Sequence, residues 1–207
     1  MGETRIYPDL YDAMEGILSL LNPGPYGVAD TDPKAKLIAD LQSIVPQLST
    51  SPVVIGGIAV ILNGYPRQTA DVDLLVARKD AMNLVRALGS SGKFRRKKLE
   101  RWEHIDTGTG LDLCVEGELT HPARRERFPA PDAIATISRS PLPVVELLDL
   151  MTLKAKSGRA KDWSDFVSLA KAHALDESIR TTVLSKVTDP QVRDLVEKWW
   201  AEAKEEA

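Results

Sequence analysis

Asp71-Val72-Asp73-Leu74-Leu75-Val76 is the stretch on which the reading of this chain turns. Side chains alternate across a strand. Val72, Leu74 and Val76 therefore share one apolar face, and Asp71 and Asp73 stand side by side on the other. Two carboxylates on one face repel each other, and something must offset that repulsion. A divalent cation does so most simply, because hard oxygen ligands suit magnesium. The competing reading is a solvated face of an edge strand. For an isolated Asp-x-Asp that reading would be preferred, so the neighbouring segments decide.

Downstream, residues 111–116 repeat the logic. Leu111, Leu113 and Val115 share a face and Asp112 points the other way. If the two strands are neighbours, Asp112 completes a three-carboxylate cluster. Upstream, Val53-Val54-Ile55 is a short β-branched run and reads as a buried strand. Gly56-Gly57 breaks it just before a short helix over residues 58–63, with Gly64 as its left-handed stop. Glycine lets backbone approach a ligand closely, and a helix N-terminus offers free N–H groups and a positive dipole. The alternative for Gly-Gly alone is a tight turn. Joined to the carboxylates, it reads as a phosphate cradle.

At this point the sequence resembles the DNA polymerase β nucleotidyltransferase superfamily. Gly56-Gly57, then residues 58–70, then Asp71-Val72-Asp73 match its signature. Gly64-Tyr65-Pro66-Arg67-Gln68-Thr69-Ala70-Asp71-Val72-Asp73 resembles the G-x-x-R-x-T-x-D-h-D form of small bacterial members (h, hydrophobic). A second match spans residues 143–169, with Glu146-Leu147-Leu148, Lys154, Arg159, Lys161-Asp162 and Asp165. That block is similar to the helical segment of AbiEii-type stand-alone nucleotidyltransferases, several of which are toxins of toxin–antitoxin systems. Many AbiEii-type members carry Gly-Ser where this chain has Gly-Gly, so a hydroxyl that can touch phosphate is missing here.

The resemblance implies an α/β (α+β) fold: a small mixed nucleotidyltransferase sheet with flanking helices and a C-terminal helical region. It implies magnesium-dependent transfer of NMP from an NTP to an acceptor hydroxyl, with two ions held by Asp71, Asp73 and Asp112. Gly56, Gly57, Arg67, Thr69, Lys154, Arg159 and Asp162 form the implied nucleotide- and phosphate-binding set. A tRNA acceptor and a cognate antitoxin are the implied macromolecular partners. The rival readings are a non-catalytic nucleotide- or partner-binding protein of the same fold and a small-molecule (antibiotic) nucleotidyltransferase.

The rest of the chain sets bounds. It has 207 residues, 28% of them charged, with a formal net charge of -3. That argues against nonspecific coating of nucleic acid, which usually needs a basic surface. Cys114 is the one cysteine, so no intramolecular disulfide forms. No leader peptide is read near Met1 and no membrane-length apolar run is found, and a cytoplasmic, non-membrane protein is expected.

Residues 1–50 read as N-terminal helices packing on the core, 51–131 as the nucleotidyltransferase core, and 132–207 as a C-terminal helical region. Leu10, Met14, Ile17, Leu18 and Leu21 recur at helical spacing. A second helix follows Asp32-Pro33 and ends at Pro46. Further helices are expected over residues 80–88, stopped by Gly89, and on three later stripes. These are Val144, Leu147, Leu148, Met151 and Ala155; then Trp163, Phe166, Val167 and Ala170; and the run after Asp189-Pro190. Residues 102–106 and 111–116 read as a hairpin across Thr107-Gly108-Thr109-Gly110.

Lys154 sits on an apolar stripe, so it must snorkel or find an anion. Asp165 reads as a structural ion-pair partner. Arg95-Arg96-Lys97-Lys98 and Arg124-Arg125-Glu126-Arg127 default to solvated faces. His104, His121 and His173 show no zinc-ligand spacing. Gly89-Ser90-Ser91-Gly92-Lys93-Phe94 is too short for a P-loop and has Phe in place of the metal-binding Ser/Thr.

Overall fold

In the computed structural model, residues 32–98, 100–138 and 140–206 are described. Seven strands form one mixed sheet. They are β1 (Val53–Ile55), β2 (Asp71–Val76), β3 (Phe94–Arg96), β4 (Arg101–His104), β5 (Gly110–Val115), β6 (Thr136–Ile137) and β7 (Val144–Val145). The spatial order is β3-β4-β5-β2-β1-β7-β6. β2 runs antiparallel to β1 and parallel to β5, and β1 runs parallel to β7. The expected hairpin is present, with Trp102 opposite Leu111 in an antiparallel β4–β5 pair.

The sheet has the α/β (α+β) character expected, with helices around it and a helical region at the C-terminal end. α1 (Pro33–Gln42), α2 (Gly56–Leu62) and α3 (Ala81–Ser90) lie in the first part of the described chain. α4 (Leu147–Ser157), α5 (Ala160–Ala172), α6 (Glu177–Ser185) and α7 (Pro190–Glu205) follow the last strand. α2 packs on β1, β2, β7 and α4 and so joins the sheet to the helical region. The core runs through both: Leu74 and Leu111 are fully buried in the sheet, and Phe166 in α5, where its ring lies 5.5 Å from that of Trp199. None of the described helices is long and apolar enough to cross a membrane.

Several elements differ from expectation, each for a local reason. The helical stripe from Leu10 to Leu21 lies outside the described residues. Asp32 caps α1 as expected, accepting from the Lys34 backbone N–H at 2.7 Å. The helix closes at Gln42, before Pro46, and Pro46 sits in a following 3-10 turn, Val45–Gln47. α3 runs through Gly89, which keeps helical geometry, and the left-handed residue is Gly92, φ 70°. Val144 belongs to β7 and not to a helical stripe. Pro143 before it disfavours helix, and its carbonyl accepts from the Val54 N–H at 2.8 Å. Trp163 is 36% exposed at the margin of its stripe, with its indole donating to Glu202.

Candidate active site

β2 and β5 pair in parallel with Asp73 directly beside Asp112 and Asp71 beside Gly110. Adjacent strands in register show the same residues to the same side, so Asp71, Asp73 and Asp112 share one sheet face. Further along β2 that face is closed, because Leu75 is fully buried. The polar opening is therefore confined to the start of β2 and the middle of β5.

Gly56 and Gly57 form the next wall. Gly56 has φ 67°, and a Cβ there would lie 1.9 Å from Asp73 Oδ2. A Cβ on Gly57 would lie 2.3 Å from Thr69 Oγ1 and 2.9 Å from an Arg67 guanidinium nitrogen. The two glycines thus let the β1–α2 turn close against β2 and against the loop that carries Arg67 and Thr69. The Thr69 hydroxyl donates to the Asp71 carbonyl at 3.3 Å and holds that loop to the start of the strand.

The third wall is an ion network. Lys154 is 4% exposed and does not snorkel to solvent. Its Nζ lies 2.6 Å from Asp165 Oδ2 and 3.2 Å from Asp162 Oδ1. Arg67 Nε reaches Asp165 Oδ1 at 2.7 Å, and Arg159 Nε reaches Asp162 Oδ2 at 2.7 Å. Three cations on two carboxylates leave one positive charge over. Lys154, Arg159 and Asp162 line a small cavity of about 80 Å³ together with Gly56, Asp73 and Cys114.

The electrostatics match that geometry. Burial pushes the Asp73 carboxyl above its ordinary pKa and Asp71 adds to the rise, against the pull of Lys154, Lys161 and Arg159. Burial likewise raises Asp112; Arg101 opposes the rise, and Asp73 and Asp71 add to it. Burial also pushes the Cys114 thiol far up, with Asp73 and Asp112 reinforcing it, so this sulfur stays protonated.

Arg101 was not singled out by the sequence. It faces Asp112 across the β4–β5 pair. Its Nη2 lies 3.2 Å from Asp71 Oδ1 and its Nε 3.6 Å from Asp112 Oδ1. The signal existed in the hairpin register, which places Arg101 on the carboxylate face.

The basic clusters are tied down more than a solvated face requires. Arg95 and Lys97 both pair with Glu103, the latter at 2.8 Å. Arg124 donates to the Ala155 carbonyl at 2.8 Å and helps close the C-terminal end of α4. His104, which has no zinc-ligand spacing in sequence, is fully buried with Nε2 2.9 Å from Asp40 Oδ2. Asp40, His104 and Asp106 bring three ligand atoms within 4.8 Å of one another. That group is already neutralised: Lys93 pairs with Asp40, and Lys36 lies 2.9 Å from Asp106. Burial pushes Asp40 up, but hydrogen bonds from Lys93 and His104 outweigh it and hold the carboxyl below its ordinary value.

No protein-family model matches the chain, and no curated protein does. Among solved structures, the chain is similar to the antibiotic-resistance factor ANT(2'')-Ia at 12% identity, covering 84% of this chain and 96% of that one, with a TM-score of 0.47. A nucleotidyltransferase-like antigen of Paracoccidioides brasiliensis aligns at 18% identity over 83% and 93%, TM-score 0.46. A candidate nucleotidyltransferase from Thermotoga maritima aligns at 16% identity over 76% and 99%, TM-score 0.45.

Proposed function

We propose that this chain is a metal-dependent nucleotidyltransferase that moves NMP from an NTP to an acceptor hydroxyl. The observation that carries the reading is the register of β2 and β5, with Asp73 beside Asp112 and Asp71 on the same face. The donor set is all carboxylate oxygen, which suits magnesium and not a soft metal. A guanidinium already lies against two of the three groups, so the site favours positive charge. Asp71 and Asp73 would hold both magnesium ions, and Asp112 the one on the acceptor side. Bound magnesium would neutralise charge on the triphosphate and make the acceptor hydroxyl easier to deprotonate.

The chain's own groups do the rest. Asp112, on the acceptor side, takes the proton from the acceptor hydroxyl as general base. Gly56 and Gly57 let backbone N–H groups approach phosphate, with Thr69 fixing the facing loop. Lys154 and Arg159 supply positive charge to the phosphates, and Asp162 orients both. Arg67 is drawn toward the same network by Asp165. The cavity of about 80 Å³ suits a phosphate group and not a whole nucleotide, so the sugar and base lie outside it. The resemblance to AbiEii-type toxins extends the reading to a tRNA acceptor and a cognate antitoxin.

The test is transfer of label from each α-labelled NTP to total tRNA and to a panel of hydroxyl-bearing antibiotics, with magnesium and with EDTA. Magnesium-dependent pyrophosphate release with labelled product supports the reading, and the labelled acceptor identifies the substrate class. Tight NTP binding with no turnover on any acceptor would favour the non-catalytic alternative.

A further inference from the structure

Arg101 holds a position that a metal ligand set cannot share. Its guanidinium lies between Asp71 and Asp112, on different strands, at 3.2 Å and 3.6 Å. The contact depends on Gly110: a Cβ there would fall 2.3 Å from Asp71 Oδ1 and 3.5 Å from Arg101 Nη2. Its neighbours on the edge strands are otherwise engaged. Arg95 and Lys97 pair with Glu103, and Arg96 lies over the Trp102 ring at 5.7 Å. Arg101 turns into the cleft while remaining 49% exposed, so it is free to leave. The one group of described residues that gathers three ligand atoms within 4.8 Å is Asp40, His104 and Asp106. Asp71, Asp73 and Asp112 do not form such a group, and the guanidinium lies against two of them.

We propose that Arg101 is a built-in competitor of the divalent cation: it bridges Asp71 and Asp112 in the metal-free chain and swings out when metal binds. The inference rests on reading the cleft as a metal site and adds an exchange of one cation for another. A planar guanidinium uses the same carboxylate oxygens that a small divalent ion must draw together. Both contacts are to Oδ1 atoms, so a metal that takes those oxygens displaces the guanidinium, and its binding carries the cost of breaking the bridge. In return, Asp71 and Asp112 gain a counter-charge in the metal-free chain, where Asp73 already feels Lys154, Lys161 and Arg159.

The experiment is Mn²⁺ titration of the full chain, followed by the loss of free-ion electron paramagnetic resonance signal. Parent, Arg101→Gln, Arg101→Lys, Lys98→Gln and Asp73→Asn are compared. Arg101→Gln is expected to bind Mn²⁺ roughly three- to tenfold more tightly, the scale of two partly exposed ion pairs. Arg101→Lys should fall between it and the parent, and Lys98→Gln, an exposed charge on the same edge, should match the parent. Thermal melting in EDTA should show Arg101→Gln less stable than the parent, with a larger rise on adding Mn²⁺. Unchanged or weaker binding in Arg101→Gln overturns the proposal, as does equal tightening in Lys98→Gln, which would mean a general field effect. Loss of binding in Asp73→Asn tests the metal site separately. If parent and Asp73→Asn are alike in binding no Mn²⁺, the metal-site reading fails, and the exchange falls with it.

Discussion

A methyl group on Gly56 would lie 1.9 Å from Oδ2 of Asp73, so the turn after β1 and the second carboxylate of β2 fit only because one of them has no side chain. Gly56 is also left-handed, φ 67°, a conformation that costs an L residue about 1–2 kcal/mol. Gly56→Ala therefore meets two penalties, strain and a clash with the carboxylate. It is expected to lower the unfolding free energy by about 1–3 kcal/mol and to abolish Mn²⁺ binding, because Asp73 must move. Gly57→Ala should be milder. Its backbone is not left-handed, so no conformational strain adds to the clash of its Cβ with Thr69 Oγ1 and Cβ, which the loop bearing Thr69 must relieve by moving back. Denaturant melts and metal titration of both variants check the order.

Asp73→Asn separates folding from chemistry. The carboxyl of Asp73 is raised by burial, with Asp71 adding to the rise. The folded chain therefore binds this proton more tightly than the unfolded chain. By linkage, stability falls as pH rises through the window between the ordinary carboxylate value and the raised one. At neutral pH the ionised group opposes folding, and the amide removes that opposition. In EDTA at pH 7 the variant should melt at or above the parent's temperature, and the difference should shrink in acid. Magnesium should raise the parent's melting temperature and leave the variant's unchanged. Transfer activity should drop by about 10²-fold or more.

Lys154→Met probes the ion network. Removing one partner from a buried ionic cluster typically costs about 3–5 kcal/mol. Here Asp165 keeps Arg67 and Asp162 keeps Arg159, so the lower end, about 3 kcal/mol, is expected. Adding Asp165→Asn should deepen that loss, since Arg67 then loses its own carboxylate. NTP affinity should fall in both variants, measured by calorimetry at a temperature where each is folded. A Lys154→Met chain as stable as the parent would show that the two arginines carry the network alone.

Asp80 gives a pH signature far from the cleft. Its carboxylate accepts from the Ser49 and Thr50 backbone N–H groups at 3.0 and 2.9 Å and from the Ser49 hydroxyl. Burial pushes its pKa up, but these hydrogen bonds outweigh that and leave it lowered. A lowered folded pKa means stability present above the unfolded value and lost as pH falls through the folded one. Asp80→Asn should cost about 1–3 kcal/mol at pH 7, the scale of hydrogen bonds to a charged group. The gap between variant and parent should close in acid, as the parent's carboxyl takes up its proton. A gap that stays constant from neutral pH into acid would mean the loss comes from geometry and not from charge.

What the sequence revealed follows the reach of its periodicities. Alternation in Asp71-Val72-Asp73 and Leu111-Asp112-Leu113 identified the shared face, because a two-residue period needs no knowledge of the partner strand. Lys154 stood out because a charge on an apolar stripe breaks a pattern. Arg101 did not, because its meaning depends on hairpin register, which is set by the turn and not by the residue. β7 was hidden for a different reason. Val144–Val145 is too short to show a period, and the apolar helix that follows absorbed it into its own stripe. α6 buries only Ile179 and Val183 and leaves too thin a stripe to read. The Asp40–His104 contact joins residues 64 apart in sequence, which no local pattern encodes.

β7 pairs in parallel with β1, and Glu146 alone separates it from α4. The strand beside the glycine turn and the helix bearing Lys154 are therefore one continuous piece of chain, anchored by the hydrogen bond from the Val54 N–H to the Pro143 carbonyl. Opening either half must strain the other. In hydrogen–deuterium exchange, the Val54 amide and the mid-α4 amides should lose protection together, with a common opening free energy and a common denaturant slope.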